Sequence, residues 1–236
     1  KLETEKIDLS NWNDLIIKQK NIAIKNERVK IAIVGKYISM KDAYISLIEA
    51  LNHGGIYNDI NVDIKWISAE TLEVGKDIDS HFKDVNGFII PGGFGERGIE
   101  GKIEAIKYAR ENKIPYLGIC LGMQLMCVEF ARNILGYKEA NTIEVNENTK
   151  YPIITLMEEQ KKNILKGGTM RLGAYPCEIK EESLAYKLYK NKIISERHRH
   201  RYEFNNEYIN EMEKNGLIIT GKLQNGELVE IVEVKN

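Results

Sequence analysis

Residues 114–134 confine the fold more than any other stretch of this chain. Ile114-Pro-Tyr-Leu-Gly is a short apolar run, Gly118-Ile-Cys-Leu-Gly122 is a turn flanked by glycine, and Met123 to Ile134 reads as a helix. A strand that turns directly into a helix leaves its sheet at the top edge. The residue at the bend is held in a strained conformation that pushes its side chain outward. Bulky neighbours would clash there, so glycine two positions to either side of Cys120 suits the geometry. The following helix aims unpaired N–H groups and its positive dipole end at the sulfur. Both favour thiolate over thiol, which marks Cys120 as the candidate reactive group.

The preceding sequence fits a parallel α/β sheet. Val29-Lys-Ile-Ala-Ile-Val-Gly reads as a buried strand, and Val62, Ile64 and Trp66 alternate as a second. Between them Asp42 is placed to cap a helix through Ala43, Leu47, Ala50 and Leu51, which Gly54-Gly55 is expected to stop. Gly87-Phe-Ile-Ile is a third strand, followed by a glycine-rich turn, a helix from Ile99 to Asn112, and the strand Tyr116 to Ile119 that delivers Cys120. Strands alternating with helices imply a parallel central sheet flanked by helices, with right-handed crossovers. Sites in such sheets lie at the carboxyl ends of strands, where both the glycine turn and Cys120 fall. The C-terminal third changes character. Gly168 to Cys177 and Ile193 to Phe204 look extended, and Asn225-Gly226 between Leu223 and Leu228 is a hairpin turn, so additional antiparallel strands are expected there.

Composition removes several function classes. Lys+Arg 34 against Asp+Glu 35 gives a net charge of -1, so no electrostatic case exists for nucleic acid or an anionic membrane. No apolar run approaches the roughly 20 residues of a membrane span. Three cysteines without regular spacing argue for a reducing interior, and a cytoplasmic location is expected. Leu9 to Lys25 reads as a polar helix with Trp12, Leu15 and Ile16 at helical spacing, leading through Lys25-Asn-Glu-Arg into the first strand. Residues 1–28 are therefore expected to be an interdomain connector ahead of one domain over 29–236, in the second half of something longer.

Gly93-Phe-Gly-Glu-Arg-Gly98 matches the G-x-G-x-x-G dinucleotide pattern, follows a strand and opens a helix. The acid expected about 20 residues on fails, because Gly118 to Cys120 occupies that place. A better reading is that Gly92 and Gly93 let the backbone approach a ligand with N–H groups turned inward. Beside a cysteine nucleophile such donors would hold the oxyanion of a tetrahedral intermediate.

Four segments together carry a resemblance: Pro91-Gly-Gly-Phe-Gly-Glu-Arg-Gly, Leu117-Gly-Ile-Cys-Leu-Gly-Met-Gln, Gly168-Thr-Met-Arg-Leu-Gly and Glu196-Arg-His-Arg-His-Arg-Tyr-Glu. The chain from about Val29 onward resembles the glutamine amidotransferase domain of the CTP synthase family, a triad-type, flavodoxin-like α/β fold. The resemblance implies a glutaminase in which Cys120 attacks the side-chain amide of L-glutamine and the N–H groups of Gly93 and Leu121 bind the oxyanion. Glutamine would be gripped around the elbow by Gly93, Leu121, Gly122, Met123 and Gln124. Glu144 would bind its ammonium group and Arg201 its carboxylate, as a zwitterion needs one acid and one base at fixed separation. No cofactor is implied in this domain. ATP, Mg and UTP are expected only in a separate synthetase domain that uses the ammonia to make CTP, with GTP as allosteric activator and a homotetramer for the full-length enzyme. These are the implications of a ligase of pyrimidine biosynthesis.

One departure stands against these matches. The family's catalytic His and Glu lie in a His-Pro-Glu segment, whereas none of His53, His81, His198 and His200 is followed by Pro-Glu and the sequence ends at Glu233-Val-Lys-Asn. The domain is therefore expected to be truncated before that segment. Loss of a general acid/base costs about 10²–10⁴ in rate. A glutamine-binding or regulatory module with impaired turnover stays open beside the enzyme. A γ-glutamyl hydrolase of the same architecture fits less well, given Glu144, Arg201 and the basic run.

Blander roles also have claims. Cys127 and Cys177 are expected in the core, Cys127 packing beneath the elbow. Met123 and Met126 are expected to pack, with only the Met123 backbone lining the site, and Glu144 could be a surface acid. Strand alternation sends Arg197, Arg199 and Arg201 to one face and His198 and His200 to the other. The histidines are thus not expected to replace the missing base. For Arg197 and Arg199, a ligand-facing role and a structural ion pair both remain open.

Overall fold

The computed structural model describes residues 8–73, 77–156 and 170–235. Residues 1–7 of the expected connector, Gly168 and Thr169 at the start of the expected extended run, and Asn236 lie outside them. Helix α1 (Ser10–Ala23) leads into β1 (Arg28–Gly35), α2 (Ile45–Tyr57), β2 (Asn61–Ser68) and the short helices α3 (Ala69–Leu72) and α4 (Ile78–Phe82). Then come β3 (Gly87–Ile90), α5 (Ile99–Glu111), β4 (Tyr116–Gly118), α6 (Leu121–Asn133), β5 (Ala140–Thr142) and β6 (Tyr151–Thr155). The C-terminal third holds β7 (Arg171–Ile179), α7 (Leu184–Tyr189), β8 (Ile193–His200), β9 (Glu203–Phe204), α8 (Ile209–Lys214), β10 (Leu217–Leu223) and β11 (Val229–Val234).

The first four strands form a parallel sheet in the order β2-β1-β3-β4. Its middle is apolar on both faces, as a sheet covered by helices requires. Ala32, Val34, Phe88 and Ile90 are buried with Ile103 and Ile106 of α5 and Leu125 and Val128 of α6 in one core cluster. The second sheet, β11-β10-β7-β8, is antiparallel, and its β10–β11 hairpin turns at Asn225-Gly226 with Gly226 at φ 78. A third sheet, β5-β6-β9, joins the two regions. The expected α/β class with antiparallel strands C-terminally is the observed one.

Two local expectations fail around α2. Asp42 lies inside a 3-10 turn (Lys41–Tyr44), α2 starts only at Ile45, and no side chain caps either. Nor do Gly54 and Gly55 stop the helix, which runs on to Tyr57. Gly55 instead allows a close crossing, since a Cβ there would sit 2.7 Å from the Ile60 carbonyl oxygen. Helix α1 is shorter than the expected Leu9–Lys25. It buries Ile22 and leaves Trp12, Leu15 and Ile16 exposed, while Asn61 Nδ2 donates to its Ile22 carbonyl at 2.7 Å.

Candidate active site

Helix α6 begins at Leu121, two residues earlier than the apolar pattern suggests, so Cys120 itself is its N-cap. The backbone there has φ 53 and ψ -106, a conformation that costs a side-chain-bearing residue about 1–3 kcal/mol. Close packing imposes it. A Cβ on Gly122 would lie 2.2 Å from the Ile90 carbonyl oxygen of β3, and one on Gly118 would lie 2.5 Å from the Gly122 carbonyl carbon. Alanine at either position would drive the helix off the sheet. The strand-to-helix bend is thus held by glycine on both sides, as the sequence pattern requires.

The glycine turn after β3 lies against this elbow. A Cβ on Gly92 would be 3.5 Å from Cys120 Cβ, and the backbone N–H groups of Leu121 and Gly93 both point at the sulfur. The thiol in turn meets the Arg199 carbonyl oxygen at 3.8 Å. Burial nevertheless pushes the Cys120 thiol up from its ordinary value. The Leu121 N–H opposes that shift, the Glu144 and Glu203 charges add to it, and the Gly93 N–H opposes it again. The expected thiolate-favouring environment is therefore corrected. Two N–H groups and a helix terminus do not outweigh desolvation plus two nearby carboxylates. Cys127 and Cys177 are fully buried, with thiols pushed up to about 12 by burial, and Cys127 Sγ contacts Met123 Sδ at 3.8 Å beneath the elbow.

The remaining candidates converge on the same end of the sheet. Glu144, just past β5, accepts the Gly95 N–H at 2.9 Å through Oε1, which ties it to the glycine turn. Gln124 is buried and donates from Nε2 to the Tyr202 carbonyl at 2.9 Å, linking the elbow helix to the segment between β8 and β9. Arg201 lies in that segment with its guanidinium 6.0 Å from the Tyr202 ring centroid. Its Nε is buried with no hydrogen-bond partner among the described residues, a donor suited to a ligand acceptor. Burial pushes the Tyr202 phenol up, Glu144's charge raises it further and Arg201's lowers it. Met123 packs on the core, as expected.

Alternation along β8 holds for Arg197 and Arg199, whereas Arg201 lies past the strand's end at His200 and does not line their cavity. Arg197 and Arg199 line a cavity of about 520 Å³ with Cys120, Gly92 and Gly93, whereas His198 and His200 turn away to pair with carboxylates. Among the described residues neither arginine forms an ion pair, which favours the ligand-facing role. Two parts of the site went unread in the sequence. Lys102 on α5 is only 2% exposed, lines the same cavity, and would lie 3.8 Å from a Cβ on Gly93. Burial and the Lys36 and Arg97 charges bring its ammonium down to about 8. The other is the carboxylate–arginine–histidine group behind β8. Among the described residues no cluster of three His, Cys, Asp or Glu side chains could hold a metal ion, and no helix is long and apolar enough to cross a membrane.

A strained cysteine at a strand–helix junction, facing a glycine turn, is the arrangement that presents a nucleophile at the top of an α/β sheet. Residues 39–236 match the sequence model of glutamine amidotransferase class-I, and the chain belongs to that family. It is similar to the CTP synthase of Clostridium beijerinckii, 56% identical over 230 residues, which cover 98% of this chain and 42% of that protein. To the CTP synthase of Clostridium acetobutylicum it is 52% identical, over 100% of this chain and 43% of the relative. The chain thus spans less than half the length of these curated relatives. In three dimensions it resembles the Trypanosoma brucei CTPS glutaminase domain with bound acivicin. The TM-score is 0.79 and the identity 37%, covering 87% of this chain and 81% of that one.

Proposed function

We propose that this chain is the glutamine-hydrolysing part of a CTP-forming enzyme. The observation that carries the reading is Cys120 at a strained N-cap, with the N–H groups of Gly93 and Leu121 both directed at its sulfur. Cys120 Sγ bonds to the side-chain carbonyl carbon of L-glutamine, and those two N–H groups take the oxyanion. The carbon–nitrogen bond then breaks, ammonia leaves with the thiol proton, and water hydrolyses the thioester to glutamate. Glu144, fixed to the glycine turn, takes the substrate ammonium. Arg201, with its unpartnered buried Nε, takes the carboxylate. In this reading Gly122, Met123 and Gln124 at the start of α6 hold the substrate around the elbow, although none of them lines the cavity beside Cys120. The proton-transfer steps are assigned to no residue of this sequence.

The ammonia would serve ATP-dependent amination of UTP in a synthetase domain, with Mg, ATP and UTP bound there. Lys36, Arg197 and Arg199, which line the cavity with Tyr37 and Phe94, suit the triphosphate and base of GTP, the activator the resemblance names. A second reading, a glutamine-binding module with impaired turnover, is favoured by the burial that keeps the Cys120 thiol protonated. Acivicin distinguishes these readings. Stoichiometric labelling confined to Cys120 and blocked by glutamine supports the site, and steady-state ammonia release then separates enzyme from impaired module. Labelling spread over all three cysteines overturns both.

A further inference from the structure

Behind the face of β8 that looks at Cys120, five ionisable side chains close into a buried ring that the proposed chemistry does not use. Arg171 of β7 lies 2.6 Å from Glu230 Oε1 of β11 and 3.7 Å from Glu203 Oε1 of β9. The two histidines of β8 bridge the carboxylates on the other side. Glu203 Oε1 is 3.4 Å from His200 Nδ1, His200 Nε2 is 2.8 Å from His198 Nδ1, and His198 Nε2 is 3.3 Å from Glu230 Oε2. All five side chains are largely removed from water, Arg171 and Glu230 at 4% exposure.

Three gaps therefore run from one carboxylate to the other, each between two atoms that carry lone pairs. The His198–His200 gap has hydrogen-bond geometry, whereas the two histidine–carboxylate gaps are ion-pair distances and Glu203 Oε1 has no hydrogen-bond partner among the described residues. A gap is attractive only with a proton in it, and two neutral imidazoles supply two N–H groups. The third gap needs a third proton. Charge balance asks for the same thing, since one arginine against two carboxylates leaves a buried net negative charge that is costly in a dry interior.

We propose that this ring holds one extra proton at neutral pH, shared along Glu203–His200–His198–Glu230, and that so loaded it positions β8 against the Cys120 elbow. The inference deepens the reading above and rests on it, because the residues between ring members serve the proposed site. Arg199 offers its carbonyl to Cys120, Arg201 is the proposed carboxylate anchor, and the Tyr202 carbonyl accepts from Gln124. That same carbonyl is 3.2 Å from His200 Nδ1. The other groups facing the ring are Tyr175 of β7, edge-on to His198 at 5.5 Å with Arg171 over its face, Glu196 of β8, and Cys177 of β7 beside Glu230. Burial pushes Glu203 up to about 8 and His200 down to about 4, which places the extra proton toward the acid end of the chain.

The test compares the whole chain with its Glu230→Gln variant, whose amide oxygen accepts from Arg171 while its NH₂ donates to His198 Nε2. All three gaps are then filled without an extra proton. Imidazole ¹⁵N and carboxyl ¹³C spectra from pH 6 to pH 10 count the protons directly. In the native chain we expect one proton beyond two neutral imidazoles at pH 7, released near pH 8. In the variant we expect both rings fixed as Nδ1–H, with nothing released. The folded ring keeps at Glu203 a proton that the unfolded chain gives up above about pH 4.5, so this proton's contribution is complete below that pH and is lost as the pH rises to about 8. Relative to the variant, the native folding constant should drop about tenfold per pH unit over that window and level off above it. Iodoacetamide alkylation of Cys120, whose thiol is common to both proteins, should show pH profiles that part at the same release. Glu203 and Glu230 both ionised with only two imidazole N–H groups at pH 7 would overturn the proton, in the native spectra alone if the variant does not fold. Superimposed alkylation profiles would overturn the positioning role. None of these readouts uses glutamine, so failure of the glutaminase reading would show separately, as absent glutamine protection.

Discussion

Replacing Cys120 by glycine and by alanine tests the elbow without involving its chemistry, because both variants lack the sulfur. At an ordinary position glycine is less stable than alanine by about 0.5–1 kcal/mol, since it loses more backbone freedom on folding. Cys120 is not at an ordinary position. Its φ of 53 with ψ -106 is a region open to glycine and strained for any residue with a Cβ. Alanine keeps that strain, about 2 kcal/mol at the middle of the usual range, and glycine relieves it. Setting relief against the entropy cost leaves Cys120→Gly more stable than Cys120→Ala by about 1 kcal/mol. Urea unfolding at pH 7 with matched m-values reads this as a higher midpoint for the glycine variant, or a melting temperature about 2–4 °C higher. An alanine variant equal to or more stable than the glycine variant would refute the claim that β4, α6 and the flanking glycines force the nucleophile into a strained bend.

Gly122→Ala should cost about 3 kcal/mol and abolish acivicin labelling, because its Cβ would lie 2.2 Å from the Ile90 carbonyl oxygen; unfolding midpoint and mass spectrometry check both. Arg171→Met leaves two buried carboxylates without their cation and should cost about 3–5 kcal/mol by urea unfolding at pH 7. Burial lowers His200 to about 4, below its unfolded value, so its contribution is fully present above about pH 6.5 and lost as the pH falls toward 4. That loss, on the order of 3 kcal/mol, should be absent in His200→Gln when unfolding is followed from pH 7 to pH 4. Lys102 is also held below its unfolded value, so the native chain should gain stability as the pH rises from about 8 toward 10.5. Lys102→Met should be more stable than native by about 3 kcal/mol at pH 7 and lose that advantage across the same window, again by urea unfolding.

The parallel sheet and the elbow were legible because the forces that make them are local. An apolar run, a glycine bracket and a helical period within some twenty residues specify a strand, a bend and a helix. Alternation along β8 likewise told which residues face Cys120, since a strand's two faces follow from its period alone. The bounds of α2 were misread even though the signals at both ends are local. Asp42 falls inside the 3-10 turn that precedes the helix, and the helix ends past Gly54-Gly55 in a turn where Asp59 takes φ 61 and the Ile60 N–H donates to the Gly55 carbonyl at 3.0 Å. Lys102 left a signal that could have been used: it occupies a core-facing position between Ile99, Ile103 and Ile106, where a lysine on the apolar stripe of a helix calls for a reason. The ring around Arg171 left none. Its members come from β7, β8, β9 and β11, and only strand pairing in two different sheets brings Glu203 and Glu230 onto one guanidinium. The shift at Cys120 follows the same division. The helix terminus that favours thiolate is written in neighbouring residues, whereas the burial and the charges of Glu144 and Glu203 that oppose it come from distant ones. The chemistry of this site is therefore set by contacts of long range, on a scaffold that short-range pattern alone defines.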